Sequence, residues 1–174
     1  MELFIEHGYT ETTVEEIAAR AGLTERTFFR YFADKREVLF SGSKDLEQAI
    51  IEHIESSPRE ARPLDVVAGA MEAAARQLQE LRDLDFVRAR YTLVTKHAEV
   101  QERELIKLAS LSLAVTKALH VRGVPEPSAS LAAEAGIAIF KIGFERWVND
   151  TEPRDFAAHI RLARVALSAL AEQR

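Results

Sequence analysis

The sequence has 174 residues, of which 23 are basic and 28 are acidic, so its formal net charge of −5 excludes histone-like binding of nucleic acid by bulk charge. It contains no cysteine, which excludes disulfides, thiolate metal sites and cysteine nucleophiles and is typical of a protein of the reducing cytoplasm. No apolar run approaches the roughly 18 residues of a membrane span, so we expect a soluble cytoplasmic protein with no membrane partner.

The hydrophobic pattern predicts an all-α fold of about nine helices. Alternating β-branched runs and Asn-Gly or Asp-Gly hairpin dipeptides are missing, while Ala, Leu, Glu and Arg dominate. Glycines, prolines and polar clusters mark the ends of the helices. These breaks fall at Gly8, at Gly22, and at residues 32–34, 56–63, 83–85, 97–99, 123–127 and 150–153.

The first 32 residues contain the signals of a helix-turn-helix. Thr13 and Glu16 have the spacing of a capping box, in which each side chain bonds the backbone N–H of the other residue. Gly22 follows where a helix end needs a left-handed residue, and Thr24 can cap the next helix. We therefore expect a short helix, a turn of about three residues and a second short helix.

The second short helix has one apolar and one polar side. At 100° per residue, Phe28, Tyr31 and Phe32 form an arc that we expect in the core. The opposite arc combines charge with an aromatic ring that core packing does not require, as in a helix that lies in a DNA major groove. Its members are Glu25, Arg26, Phe29 and Arg30. A second capping box, Asp34 to Glu37, predicts a long helix that continues through Ile54.

These motifs together resemble the N-terminal domain of the TetR family of bacterial regulators. The resemblance rests on Leu-Phe-x-x-x-Gly-Tyr (3–9), Thr-Thr-Val-x-x-Ile-Ala (12–18), Ala-Gly-Leu-Thr (21–24), Thr-Phe-Phe-Arg-Tyr-Phe (27–32) and Lys-x-x-x-Leu (35–39). It implies a DNA-binding domain over residues 1–45 and a ligand-binding and dimerisation domain over residues 46–174. It also implies a homodimeric transcription factor, usually a repressor, that leaves an inverted-repeat DNA operator when a small molecule binds.

The resemblance also implies roles for single residues. Thr13 and Lys35 stand where members contact backbone phosphates, whereas Arg26 is our candidate for reading a guanine edge. Glu25 either stabilises the helix dipole or accepts from a cytosine amino group. The full set of predicted DNA-binding residues is Thr13, Thr24, Glu25, Arg26, Thr27, Phe29, Arg30 and Lys35.

Two features depart from the family pattern. Phe29 replaces a tyrosine whose hydroxyl reaches a phosphate in many members, although its ring can still touch a thymine methyl group or a sugar. The family's first helix also extends a turn or two upstream of the position of Leu3. We therefore expect a further segment before Met1.

The last two helices are apolar on two sides, which predicts that a second copy of the chain covers one of them. Two such helices from each subunit could form a four-helix dimer interface, with Gly136 and Gly143 permitting close approach. The alternative is that both faces pack within one subunit. The residues predicted at the interface are Ile137, Phe140, Phe144, Trp147, Leu162, Val165 and Ala169.

Nothing in the sequence indicates catalysis, a cofactor or a metal site. No two histidines have the i, i+3 or i+4 helical spacing of zinc ligands, and no Gly-rich phosphate loop or nucleophile elbow occurs. A pocket is implied by the family alone, and we expect its effector to be apolar or amphipathic. The candidate pocket residues are Met71, Phe86, Arg90, Tyr91, Thr95, His97 and Phe140. The alternative function is a helical dimer that binds ligand or protein but not DNA, and an enzyme ranks third.

Overall fold

The computed structural model describes residues 1–152 and 154–172, and the regular elements in these ranges are all helical, which confirms the all-α prediction. A 3₁₀ helix (Lys35–Phe40) lies between α3 and α4 in the chain. No helix in these ranges is long and apolar enough to cross a membrane. The nine described α-helices are α1 (Glu2–Glu6), α2 (Val14–Arg20), α3 (Glu25–Tyr31), α4 (Ser43–Ser56), α5 (Pro63–Leu81), α6 (Leu84–Lys96), α7 (Ala98–Val121), α8 (Ser128–Asn149) and α9 (Phe156–Glu172).

The described chain forms two compact units. The first unit contains residues 1–43 together with 85–104, and the second contains residues 44–84 together with the described residues from 105 onward. The first break lies two residues before the predicted domain boundary at 45/46. Residues 85–104, which the sequence assigns to the second domain, pack with the N-terminal residues instead.

The core of the first unit draws on both of its segments. Phe4, Tyr9 and Phe40 from the N-terminal segment are buried together with Val94 of α6 and Val100 of α7. A chain of about 40 residues rarely buries enough surface to fold alone. The α6–α7 corner therefore supplies part of the apolar interior on which α1, α2 and the 3₁₀ helix pack.

The helix-turn-helix forms as its caps predict. Both hydrogen bonds of the Thr13–Glu16 capping box are present at the start of α2. Gly22 has a φ of +68°, and the N–H of Leu23 donates to the carbonyl of Ala18 at 2.8 Å, which closes α2 with a left-handed residue.

The predicted long helix over residues 34–54 is wrong, because two separate elements occupy this stretch. The 3₁₀ helix ends at Phe40, and Gly42, with a φ of +86°, precedes α4. Few residues other than glycine adopt that backbone angle without strain, so the α-helix cannot run through it. At the second predicted capping box, the Asp34 side chain accepts from the N–H of Arg36 at 2.8 Å, and the Glu37 carboxylate pairs with Arg103.

In the second unit, α5, α8 and α9 pack against one another at two glycines of α8. A Cβ at Gly136 would lie 2.2 Å from Cγ1 of Val67 in α5. A Cβ at Gly143 would lie 2.7 Å from Cδ1 of Ile160 in α9 and 3.2 Å from its backbone N and Cα. The close approach that these glycines permit is thus made within the chain.

The aromatic residues of α8 that are predicted at the dimer interface also pack within the chain. The Trp147 ring stacks on Phe156 of α9 at a centroid distance of 4.7 Å, and the rings of Phe140 and Phe144 lie 5.4 and 5.7 Å from it. Ile137 is buried as well. Because both arcs of α8 are apolar, periodicity alone could not identify which one α5 and α9 cover.

The open surfaces of α8 and α9 carry aliphatic residues among polar ones. On α8 the exposed apolar residues are Leu131, Ala138 and Ile142, from the arc opposite the predicted one, and the exposed charged residues Glu134, Lys141 and Glu145 lie beside them. On α9, Leu162 and Val165 are 45% and 66% exposed, as expected for residues predicted to meet a partner, and Ala169 is exposed too.

Candidate nucleic-acid interface

The side of α3 opposite its buried Phe28 is exposed, as the sequence predicts. Phe29 is 52% exposed, although the edge of its ring contacts Phe28 at a centroid distance of 5.5 Å. Arg26 has no hydrogen bond or ion pair with any residue in the described ranges, so its guanidinium is available to a partner. The exposed members of the predicted set on this helix are Glu25, Arg26, Phe29 and Arg30.

Tyr31, predicted in the core, is 67% exposed and extends this surface. The Arg30 guanidinium lies 4.9 Å from the Tyr31 ring centroid and donates to the Tyr31 hydroxyl at 3.2 Å. Tyr31 is the last residue of α3, and the chain leaves the helix in an extended conformation at Phe32. Tyr31 therefore lies on the same arc as the buried Phe28 but is not covered by other residues. In the sequence, only the predicted end of the helix at this position could have indicated its exposure.

The start of α3 is held by two threonines. The Thr24 hydroxyl accepts from the N–H of Thr27 at 3.2 Å and lies 3.1 Å from the Thr27 hydroxyl. The cap satisfies one of the free N–H groups of the first turn and fixes the direction in which the helix begins. Both hydroxyls thus have a structural role whether or not they also meet a ligand.

Thr13, a predicted phosphate contact, is engaged by Glu16. The Thr13 N–H donates to a Glu16 carboxylate oxygen at 2.8 Å, and the Thr13 hydroxyl donates to the same atom at 3.1 Å. The backbone bond from Thr13 is the main cause that lowers the pKa of Glu16. The carboxylate is therefore ionised at neutral pH and already occupies the donors that a phosphate would use.

Lys35, the other predicted phosphate contact, is engaged as well. Its Nζ donates to the carbonyls of Tyr9, Thr10 and Thr12 at 2.7, 3.0 and 2.9 Å, and lies 4.7 Å from the Tyr9 ring centroid. An ammonium group has three donors, so all three are used in this conformation. The side chain fastens the start of the 3₁₀ helix to the turn before α2.

The predicted pocket residues do not come together in one unit. Met71 is fully buried in the second unit, where Phe140 packs on Phe156. In the first unit, Arg90 pairs with Glu104, and the His97 ring packs on that of Tyr9 at 4.8 Å. The members that belong to the first unit are Phe86, Arg90, Tyr91, Thr95 and His97.

The second unit has an open groove of about 420 Å³ that none of the predicted pocket residues lines. Glu72 of α5 and Arg161, Arg164 and Val165 of α9 form part of its wall. Arg161 approaches Glu72 at 3.4 Å, and Arg164 pairs with Asp65 at 2.6 Å, so both cations are neutralised within the unit. The described residues contain no group of three histidine or carboxylate side chains that could hold a metal ion.

Comparison with known proteins matches the N-terminal residues to one family. The family model of bacterial regulatory proteins of the tetR family matches residues 1–41. The transcriptional regulator TcmR of Streptomyces glaucescens is 36% identical over 80 residues, which cover 46% of this chain and 35% of TcmR. The putative mycofactocin biosynthesis transcriptional regulator MftR of Mycobacterium tuberculosis is 39% identical over 59 residues, which cover 32% of this chain and 30% of MftR.

Residues 1–41 of the chain are therefore similar to the N-terminal domain of TetR-family regulators. The chain's matches to the two curated relatives span about a third of their length. TetR-family structures share the fold over almost the whole chain. FadR of Thermus thermophilus, a repressor solved with lauroyl-CoA, has a TM-score of 0.62 at 22% identity, covering 100% of this chain and 92% of FadR. A structure from Mesorhizobium loti has a TM-score of 0.54 at 20% identity, covering 97% and 89% of the two chains.

Proposed function

We propose that this chain is a TetR-family, ligand-responsive, DNA-binding transcriptional regulator that acts in the cytoplasm as a homodimeric repressor. In this proposal α3 enters the major groove of a palindromic operator, and a small hydrophobic effector releases the protein. The observation that carries the proposal is the exposed face of α3, where Arg26 has no partner in the described ranges and Phe29 and Tyr31 are more than half exposed.

The chemistry of this face suits base edges. An arginine side chain can donate to both O6 and N7 of a guanine, the commonest specific contact in the major groove. Arg26 lies in the first turn of α3, the part of a recognition helix that reaches the bases in helix-turn-helix proteins. Arg30 and Tyr31 lie one turn later, where we place contacts to sugars and phosphates.

The charge distribution favours specific over general binding. Residues 1–23 contain one basic and five acidic side chains, whereas residues 24–36 contain four basic and two acidic ones. Electrostatic attraction to phosphates supplies nearly all of non-specific affinity. Because the net positive charge of the first 36 residues is confined to residues 24–36, we expect weak binding to random DNA.

We place the dimer contact on the exposed aliphatic faces of α8 and α9. A two-fold symmetric interface buries the same patch on both subunits, and Leu131, Ile142, Leu162 and Val165 are exposed apolar side chains that suit it. The revised interface retains Leu162, Val165 and Ala169 of the predicted set and replaces its α8 members. A dimer also places two recognition helices on two half-sites of an inverted repeat.

We place the effector site in the second unit, among α5, α8 and their neighbours. Met71 there is fully buried beside Gly136, and a flexible methionine can move to admit an apolar group. The lauroyl-CoA bound to FadR supports an acyl or similar hydrophobic effector. The effector acts only if it binds one conformation of the dimer more tightly than the other.

Fluorescence polarisation with the full chain tests the proposal. We expect a labelled palindromic site from the region beside its own gene to be displaced by unlabelled copies of itself far better than by random duplex DNA. If no such site competes better than random DNA, the chain is a helical dimer that binds ligand or protein without reading DNA, and the proposal fails.

A further inference from the structure

The end of the 3₁₀ helix is held by residues that lie about 50 to 66 positions later in the chain. Arg90 of α6 donates from Nε to the carbonyl of Leu39 at 2.8 Å. Arg103 of α7 forms an ion pair with the carboxylate of Glu37. Both contacts lie within the first unit.

Arg90 is fixed in three directions at once. Its Nη2 donates to a Glu104 carboxylate oxygen at 2.7 Å, while its guanidinium lies 5.1 Å from the Phe40 ring centroid. A planar guanidinium holds such contacts in one geometry, which a lysine cannot reproduce. The carbonyl at Leu39 and the ring of Phe40 are therefore both tied to the α6–α7 corner.

The pair of Glu37 and Arg103 is partly shielded from solvent. The side chains are 18% and 31% exposed, in contrast to the pairs of Arg20 with Glu2 and Glu6, in which both members are about half exposed or more. Exposed pairs contribute little to stability, whereas leaving one member of a shielded pair alone is costly. The Arg20 pairs are therefore suitable internal controls.

The 3₁₀ helix in turn restrains α3. It begins four residues after Tyr31, the end of α3, and Asp34 caps it. Its first residue, Lys35, is bonded to the turn before α2. A shift of the 3₁₀ helix must therefore move the end of α3 or break these bonds.

We propose that Arg90 and Arg103 are positioning residues for DNA reading, which hold the 3₁₀ helix so that α3 is presented at one angle. The α6–α7 corner is then an integral part of the DNA-reading unit, although neither arginine touches DNA. The inference rests on the proposed function, because its readout is binding to a specific site.

A charge-swap series in the full chain tests this role. We expect Glu37→Arg and Arg103→Glu each to weaken binding to the specific site by about tenfold, since each leaves a shielded charge beside a like charge. The double variant restores the pair with reversed signs and should return affinity to within about threefold of wild type. Arg20→Glu and Glu2→Arg make the same charge changes at an exposed pair of the first unit and serve as matched controls.

The series separates positioning from long-range charge and from loss of folding. Polarisation titrations on the specific site and on random DNA give the specificity ratio, and circular dichroism at the working temperature gives the folded fraction. We expect the ratio to fall in the Glu37 and Arg103 single variants and to recover in the double variant. If a single variant is partly unfolded, Glu37→Gln takes its place, because it removes the charge without adding a like one. Arg90→Lys should also lower the specificity ratio.

The outcomes distinguish the two claims. If wild type binds the specific site and Arg103→Glu matches Arg20→Glu, or if the double variant shows no recovery, the positioning role is refuted while the proposed function stands. If wild type shows no specific site, the proposed function fails and this inference fails with it.

Discussion

The two units differ in what they expose. In the first unit, α3 presents Arg26 and the ring of Tyr31, a cation and an aromatic that suit phosphates and the edges of bases. In the second, α8 and α9 present Leu131, Ile142 and Val165, which suit another apolar surface. One chain thus carries faces for two kinds of partner, and a substitution on the exposed face of α3 should spare self-association.

Both units use cationic side chains to bond backbone carbonyls. In the first, which has a small core, Lys35 and Arg90 do so, and in the second Arg122 donates to the carbonyls of Ile54, Ser57 and Pro58. The second unit adds close helix contacts at Gly136 and Gly143 and stacked rings. We therefore expect added volume at these glycines to destabilise the second unit.

The largest effect is expected at the exposed α9 face. Leu162→Glu should abolish self-association at micromolar concentration, because a two-fold interface contains the substitution twice and each copy places a carboxylate where the 45% exposed leucine side chain would be buried. Light scattering across a concentration series measures it. Leu81→Glu, at an exposed leucine near the end of α5, is the matched control and should remain dimeric. A stable wild-type monomer, or a dimeric Leu162→Glu, would remove this face from the proposed interface.

The next effect is expected inside the second unit. Gly143→Ala should lower the free energy of unfolding by about 2 to 3 kcal/mol, because its new methyl group meets the backbone of Ile160, which cannot turn away. Gly69→Ala is the matched control, since its methyl group would meet only the Nε2 of the His53 side chain at 3.2 Å. Urea unfolding measures the stability of both variants. If Gly143→Ala is as stable as Gly69→Ala, the close α8–α9 contact is contradicted.

At the DNA-reading face, Arg26→Ala should weaken binding to the specific site by about 1 to 3 kcal/mol and relax the preference at one base pair. The unfolding free energy should stay near that of wild type, because Arg26 is exposed and has no hydrogen bond or ion pair in the described ranges. Arg59→Ala, at an exposed arginine of the second unit, controls for the loss of one positive charge. Equal losses on specific and random DNA would exclude Arg26 from base reading.

The smallest effect separates two roles for Lys35. If its ammonium group bonds the three carbonyls, Lys35→Met should lower the unfolding free energy by about 1 to 2 kcal/mol and leave the salt dependence of DNA binding unchanged. If it contacts a phosphate, the slope of log K against log salt should fall in magnitude by about 0.9. Polarisation titrations at several salt concentrations, with urea unfolding alongside, distinguish the two.

Local signals in the sequence predict the helix-turn-helix well. The Thr13–Glu16 box, Gly22 and the Thr24 cap act between residues a few positions apart, and each has the predicted structure. The break before α4 escaped prediction because the apolar pattern continues through Gly42 as though one helix spanned it.

Long-range packing could not be predicted from these signals. Periodicity cannot show that residues 85–104 complete the core of the N-terminal segment. Nor can it show that Lys35 turns inward to three carbonyls, since an isolated lysine after a turn is typical of a solvated or phosphate-binding residue. The exposed cations and rings of α3 were easier to predict, because a polar face needs no partner within the chain.

Selection of bound sequences from a random duplex library by the wild-type full chain tests the central claim most directly. The proposed function predicts an enriched inverted repeat whose half-sites lie about 34 to 36 Å apart, or a multiple of that distance, with one preferred base pair lost when Arg26→Ala is used in the same selection. A library that shows no enriched sequence after selection would contradict it.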